Sequence, residues 1–347
     1  MARFDRLQVL NTIVGTGLVP VFYNSDVDVA KSIAKACVAG GSPVVEFTNR
    51  GDFAPEVFKE LSRFLAKEAP NVILGVGSVV DDPTAALYIA YGANFVVGPI
   101  LNETVARLCN RRKIPYMPGC GSASEISYAE ELGVEIVKVF PGKSVGGPDF
   151  VKSVLGPTPW TRIMPTGGVD ATYDSIKTWF QAGVCAAGMG SNLVTKEAVA
   201  AANWDDITQK VRQVLDWIKE ARGEPLFPGI EHVGLYPTAA ASGQSIAKWY
   251  SKRFGFDLKE GASSFFVSGQ GPGRIEIMKA GDVPSAIPGF VDRCHVAVRV
   301  SNFEKAVEAL RAQGVEFEEP KIKGNIKAVF LRERDPAGNI VHLLWRE

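Results

Sequence analysis

The sequence predicts an α/β chain, a (β/α)8 TIM-type barrel followed by a smaller α+β domain of two βαβββ modules. Three observations predict it. Short apolar, β-branched runs alternate with helix-period stretches from residue 1 to about 222, a Pro/Gly-rich break follows, and beyond it strand-rich segments recur in two similar rounds.

The barrel strands are expected at Leu18–Tyr23, Val44–Thr48, Val72–Val76, Phe95–Val97, Pro115–Met117, Ile136–Phe140, Arg162–Pro165 and Val184–Met189. These runs are apolar on both faces, as parallel strands covered by helices must be, whereas a one-sided antiparallel sheet would alternate polar and apolar residues. Eight such runs make the barrel number. Val57–Lys67, Pro83–Tyr91, Ser124–Leu132 and Tyr173–Gln181 carry helical periodicity between them, several with Gly at the expected C-cap.

The break is Glu220–Glu231, EARGEPLFPGIE, whose two prolines and two glycines follow the long amphipathic stretch Trp204–Ala221. We therefore divide the chain into a barrel at 1–222, a linker at 223–228 and a second domain at 229–347. In that domain His232–Tyr236, Gly243–Phe254, Phe256–Lys259, Phe265–Val267 and Arg274–Met278 read as strand, helix and three strands. His295–Val300, Phe303–Gln313, Val315–Glu318, Ala328–Arg332 and Ile340–Trp345 repeat that order, and His232 and His295 open the two copies 63 residues apart (295 − 232).

Composition bounds the function. The 347 residues carry 38 basic and 38 acidic side chains, so no nucleic-acid partner is expected. The charged N-terminus lacks a run apolar enough for a signal peptide or membrane span, which predicts a cytoplasmic protein with no membrane partner. Cys37, Cys109, Cys120, Cys185 and Cys294 are scattered without a C-x-x-C spacing, which argues against a disulfide framework or a cysteine zinc knuckle.

Polar side chains interrupt the barrel strands at a few positions. In VVEFTNRG, Glu46, Thr48 and Arg50 share one face by the period of two, and in IVKVFPG Lys138 shares a face with Ile136 and Phe140. Such burial is costly unless the groups pair or work. Both strands end at these residues, which places them at the C-terminal mouth, where barrel active sites lie. A desolvated lysine near other cations has a lowered pKa and offers a neutral amine to a carbonyl, with Glu46 the nearest candidate for moving protons. The bland alternative is a buried Glu–Lys ion pair tying two strands together. Against it stand PTGG at Pro165–Gly168 and GMGSNL at Gly188–Leu193, which end the last two barrel strands where phosphate sites recur.

EFTNR, GVGSV, MPGCGSASE, KVFPG, MPTGG and GSNL stand in the order and spacing of the motifs of 2-keto-3-deoxy-6-phosphogluconate and 4-hydroxy-2-oxoglutarate aldolases, and Met1–Arg222 resembles that family throughout. The resemblance implies Lys138 as Schiff-base lysine and Glu46 as acid/base. It implies Arg50, Thr48, Ser78 and Thr166 around the keto-acid carboxylate and hydroxyls, Phe140 beside the imine, and Gly167, Gly168, Gly190 and Ser191 as a phosphate cradle. It further implies a small 2-keto acid substrate, no cofactor for the aldol chemistry and a homo-oligomer, trimeric in form.

All three histidines of the chain, His232, His295 and His342, lie in its last third. Each round offers one residue on its first strand and one on its last: His232 with Glu276 (276 − 232 = 44) and His295 with His342 (342 − 295 = 47). Four such groups would suit one divalent Zn, Mn, Fe, Co or Ni ion. With the DPAGN turn at Asp335–Asn339, residues 229–347 resemble the vicinal oxygen chelate superfamily of glyoxalase I, epimerases and extradiol dioxygenases, which implies a metal that chelates adjacent substrate oxygens. Two other readings stand beside the aldolase: an isomerase, epimerase or lyase centred on this second domain, and a non-catalytic sensor or oligomerisation module.

Overall fold

The computed structural model describes residues 3–237, 242–269, 273–279, 295–334 and 340–346. Cys294 and the expected turn at Asp335–Asn339 lie outside them. The chain forms two compact units, Met1–Gly223 and Glu224–Glu347.

The first unit opens with α1 (Arg6–Thr16), β1 (Leu18–Phe22), α2 (Val27–Ala39), β2 (Val44–Thr48), α3 (Ala54–Glu68), β3 (Ile73–Gly77) and α4 (Asp82–Ala90). It continues through β4 (Val96–Val97), α5 (Glu103–Arg112), β5 (Tyr116–Met117), β6 (Gly119–Cys120), α6 (Ala123–Glu131) and β7 (Val137–Val139). It ends with α7 (Gly147–Leu155), β8 (Ile163–Pro165), α8 (Tyr173–Gln181), β9 (Ala187–Met189), α9 (Lys196–Ala200) and α10 (Trp204–Ala221). Most of the helices begin at a side-chain cap of the expected kind, such as Asp26, Asp81, Ser122 and Thr172, each accepting from a first-turn N–H.

The strands pair in parallel as a six-stranded sheet, β5-β4-β3-β2-β1-β9, and a three-stranded sheet, β6-β7-β8. Pro118 separates β5 from β6; it has no N–H to give, and its carbonyl instead accepts from Lys138 N at 3.0 Å. The expected strand Pro115–Met117 therefore continues, after that break, into a short strand that the sequence reading did not include. The sheets curl. Val19, Val44, Ile73, Val97, Met117, Ile136 and Met164, drawn from or flanking strands of both, meet in one inner cluster floored by Val9, Leu10 and Ile13 of α1. The alternate residues Val45, Phe47, Val137 and Val139 point outward into the larger core beneath the helices.

The second unit comprises β10 (Gly229–Leu235), α11 (Gly243–Phe254), β11 (Asp257–Glu260), β12 (Ser264–Ser268) and β13 (Arg274–Met278). It then repeats strand, helix and strands as β14 (His295–Arg299), α12 (Phe303–Arg311), β15 (Lys321–Lys323), β16 (Ile326–Arg334) and β17 (Ile340–Arg346). One sheet holds all these strands in the order β11-β12-β13-β10-β14-β17-β16-β15, with β10 and β14 antiparallel at its centre. One face packs on the helices, through Ala247, Phe265, Val267 and Ile277 on one side and Phe303, Ala306, Val329 and Leu343 on the other.

The strand expected at Val315–Glu318 is shorter than expected. It is a short antiparallel bridge of Phe317 to Leu331, flanked by Glu318 N donating to Phe330 O and Arg332 N donating to Glu316 O at 2.9 Å each, and the longer pairing on the same side of β16 is β15. Lys323 and Ile326 flank a two-residue Gly324–Asn325 turn, and Gly324 takes the positive φ of 58° that such a hairpin uses.

Candidate active site

Lys138 follows Ile136 by two residues and Glu46 follows Val44 by two, so both extend inward-facing rows one layer above the inner apolar cluster. Both are buried, Lys138 at 5% and Glu46 at 2% exposure. Desolvation lowers the Lys138 pKa, against the opposing pull of Glu46, and nearby Arg50 lowers it further. Desolvation likewise raises the Glu46 pKa, opposed by Lys138 and Arg50. No ion pair within 4.0 Å links the two among the described residues, so the strand-tying bridge is not what this geometry builds. The Lys138 ammonium position lies 4.6 Å from the centre of the Phe140 ring.

Above this layer opens a cavity of about 590 Å³, lined by Thr48, Arg50, Phe140, Thr166, Gly167, Gly168, Gly190 and Ser191 among others. Thr48 ends β2 and is buried, while Arg50 lies beyond the strand, exposed, with its Nε donating to Ser78 Oγ at 3.2 Å. Ser78 itself has φ of 61°, an uncommon value for a residue with a side chain, at the turn that ends β3. Thr166 lines the cavity, and its Oγ1 is buried against Gly188 with no hydrogen-bond partner. Gly167 and Gly168 both take φ of 84°, which only glycine adopts at no steric cost.

In the second unit His342 alternates with Leu343, and Glu276 with Ile277, so the histidines and Glu276 occupy the face opposite the helices. Gly234 pairs with Glu276 on one side and His295 on the other, while His232 and His342 both stand opposite Ala297. One ring nitrogen from each of His232, His295 and His342 lies within 4.8 Å of the others. His232 Nε2 is 3.0 Å from His295 Nε2 and 3.1 Å from Glu276 Oε2. Both ring nitrogens of His342 are buried without a hydrogen-bond partner, and burial beside two other imidazoles takes its pKa down to about 3. Three imidazoles gathered this closely are a donor set that fits a transition metal.

The family model for KDPG and KHG aldolases matches residues 9–210. The chain belongs to the KDPG and KHG aldolase family. The 2-dehydro-3-deoxy-phosphogluconate aldolase of Haemophilus influenzae is 32% identical over 212 residues, covering 61% of this chain and 97% of that protein. The KHG/KDPG aldolase of Escherichia coli K12 is 32% identical, covering 60% and 95%. A crystal structure of KDPG aldolase from Legionella pneumophila, with pyruvate captured as a covalent carbinolamine intermediate, superposes with a TM-score of 0.54 at 27% identity, covering 58% of this chain and 96% of that one. Residues 229–343 match the Glyoxalase/Bleomycin resistance protein/Dioxygenase superfamily model.

The aldolase unit thus gathers Thr48, Arg50, Phe140, Thr166, Gly167, Gly168, Gly190 and Ser191 around one cavity, with Ser78 joined to it through Arg50. Lys138 and Glu46 belong to the layer below and do not line that cavity. Sequence reasoning missed Tyr23, Asn24 and Lys196 on the cavity wall, which lie outside the motifs that carry the chemistry. It also missed Gly77, against which the Glu46 carboxylate rests, and, in the second unit, Glu231 and Gly234 beside the histidines. Gly77 and Gly234 read as ordinary strand glycines, and Glu231 falls at the end of the Pro/Gly-rich break.

Proposed function

We propose that this class I aldolase cleaves 2-keto-3-deoxy-6-phosphogluconate, or a related 2-keto-4-hydroxy acid, to pyruvate and an aldehyde. The observation that carries the reading is Lys138, a buried amine of lowered pKa on an inward-facing row beside Glu46 and Phe140. The Lys138 amine adds to the C2 carbonyl, water leaves, and the resulting iminium withdraws the C3–C4 bonding electrons as the C4 hydroxyl loses its proton. The aldehyde departs, the enamine is protonated at C3, and water releases pyruvate and the free lysine. Glu46 carries the protons of these steps, since burial raises its pKa and so favours a carboxyl that can donate as well as accept. Arg50, Thr48, Ser78 and Thr166 hold the keto-acid carboxylate and hydroxyls, and Phe140 packs beside the imine. Gly167, Gly168, Gly190 and Ser191 cradle the phosphate. The test is pyruvate release from 2-keto-3-deoxy-6-phosphogluconate by the purified chain; no release with any 2-keto-4-hydroxy acid overturns the reading.

The finer architecture is part of this proposal. We read the curled strands as a closed (β/α)8 barrel at 1–222, supported by the parallel bridge from Thr166 to Gly188 between the two sheets. Residues 223–228 then act as linker, and 229–347 as two βαβββ modules, supported by the repeated element order about the β10–β14 pair. The aldolase acts as a homo-oligomer, trimeric by family likeness.

For the second unit, the unpartnered His342 nitrogens favour a divalent metal, Zn, Mn, Fe, Co or Ni, held by His232, His295 and His342 with Glu276 as fourth ligand. When bound, it would supply a Lewis acid for adjacent substrate oxygens. Stoichiometric metal in the purified chain favours that isomerase, epimerase or lyase site; absence favours a sensor or oligomerisation module.

A further inference from the structure

Glu231 and His232 are adjacent on β10, and strict alternation would send them to opposite faces of the sheet. They do not go there. Between Ile230 and His232 the pairing with β14 slips, so that Ile230 opposes Val298 while His232 opposes Ala297. Glu231 is the extra residue of a β-bulge, and a bulge re-aims a side chain. The result is a buried carboxylate, 7% exposed, whose Oε2 lies in hydrogen-bond contact with His232 Nδ1. Its other oxygen, Oε1, faces two guanidiniums: Arg274 Nη2 from β13 and Arg346 Nε at 3.4 Å from β17. Arg274 pairs in register with His232, and Arg346 follows His342 by four residues, so both belong to the histidine face.

This arrangement gives each nitrogen of His232 a carboxylate, Glu231 on Nδ1 and Glu276 Oε2, 3.1 Å away, on Nε2. A carboxylate held between two cations is an acceptor only, so the ring atom facing it must be an N–H. A divalent cation placed where Nε2 meets His295 Nε2 and Glu276 Oε2 would take the Nε2 lone pair and the carboxylate together, leaving Nδ1 as the N–H that Glu231 accepts. We infer that Glu231 is a positioning residue for the histidine cluster, fixing the tautomer and ring orientation of His232 so that Nε2 is presented to a divalent metal. The inference rests on the metal reading of the second unit and adds to it a carboxylate–histidine relay on one ligand. The bulge gives that carboxylate its place, and the arginines from β13 and β17 keep it there.

The test uses the full chain and Co(II) as the probe. Imidazole ¹⁵N spectra of the full chain loaded with diamagnetic Zn(II) should show His232 with a protonated Nδ1 and the metal on Nε2; metal on Nδ1 overturns the inference without any variant. Glu231→Ala should weaken Co(II) binding by about 10–100-fold, the range for loss of such a partner. Glu231→Gln, whose amide oxygen still accepts from Nδ1–H, should bind within a few-fold of the unaltered chain. The melting transition of the second unit, read for each variant without metal, serves as the folding control. Equal binding by the Ala variant, or a Gln variant as weak as Ala, removes the role assigned to Glu231 while leaving the metal reading intact. Failure of the unaltered chain to bind Co(II) removes both.

Discussion

The Glu46 carboxylate occupies the space that a side chain at Gly77 would need, since a Cβ added there would collide with Glu46 Oε1. Glycine at the end of β3 therefore sets where the proposed acid/base sits. Gly77→Ala should displace the carboxylate and slow cleavage towards the loss expected for Glu46→Gln, about 10²–10⁴-fold. Overpacking should cost only about 1–3 kcal/mol of stability. Steady-state kinetics with a melting curve on each variant would check this; unfolding of Glu46→Gln would instead assign Glu46 a structural task.

The electrostatics of the pair give a signed pH prediction. Burial lowers the Lys138 pKa, and the negative charge of Glu46 partly opposes that by favouring the ammonium. Removing the charge in Glu46→Gln should therefore move the midpoint for imine formation to lower pH, because the amine then loses its proton more readily. The pH dependence of pyruvate trapping, measured on both proteins, reads the midpoint directly. A shift to higher pH would contradict the stated balance of forces.

A phosphorylated substrate should have a much lower Michaelis constant than its dephosphorylated analogue, because Gly167, Gly168, Gly190 and Ser191 line the same cavity as Arg50 and Thr166. Backbone N–H groups in positive-φ glycine loops are suited to anions. Equal constants for the two would move the substrate towards 4-hydroxy-2-oxoglutarate.

Much of this was legible in the sequence because period-two alternation is local. Lys138 with Ile136, and Glu46 with Val44, could be placed on inward rows before any contact was known, as could His342 against Leu343. Relations that depend on a slipped register were not legible. Glu231 stands at the end of the Pro/Gly-rich break, and only the bulge shows that it shares a face with His232. Gly234 reads as an ordinary strand glycine, yet the His295 ring lies where its Cβ would be. The strand expected at Val315–Glu318 proves only a short bridge to β16, and the Gly324–Asn325 turn that sets the longer hairpin of β15 and β16 went unweighted.

Chelation should separate the two units. Metal bound to the folded second unit alone stabilises it by about 2.7 kcal/mol at a hundred times its dissociation constant, so stripping it should lower that unit's melting temperature. Aldol cleavage should persist, because imine chemistry needs no metal. A His232→Ala, His295→Ala double variant should lose the metal outright; unchanged metal content in that variant, or loss of cleavage on chelation, would contradict the independent sites.

The central claim is that Lys138 is the nucleophile, and borohydride reduction in the presence of pyruvate tests it most directly. Reduction converts the imine to a stable secondary amine, and peptide mapping then locates the modified residue. The account predicts one adduct, on Lys138, absent from Lys138→Ala together with most of the cleavage rate. An adduct on another lysine, or none at all, would contradict it.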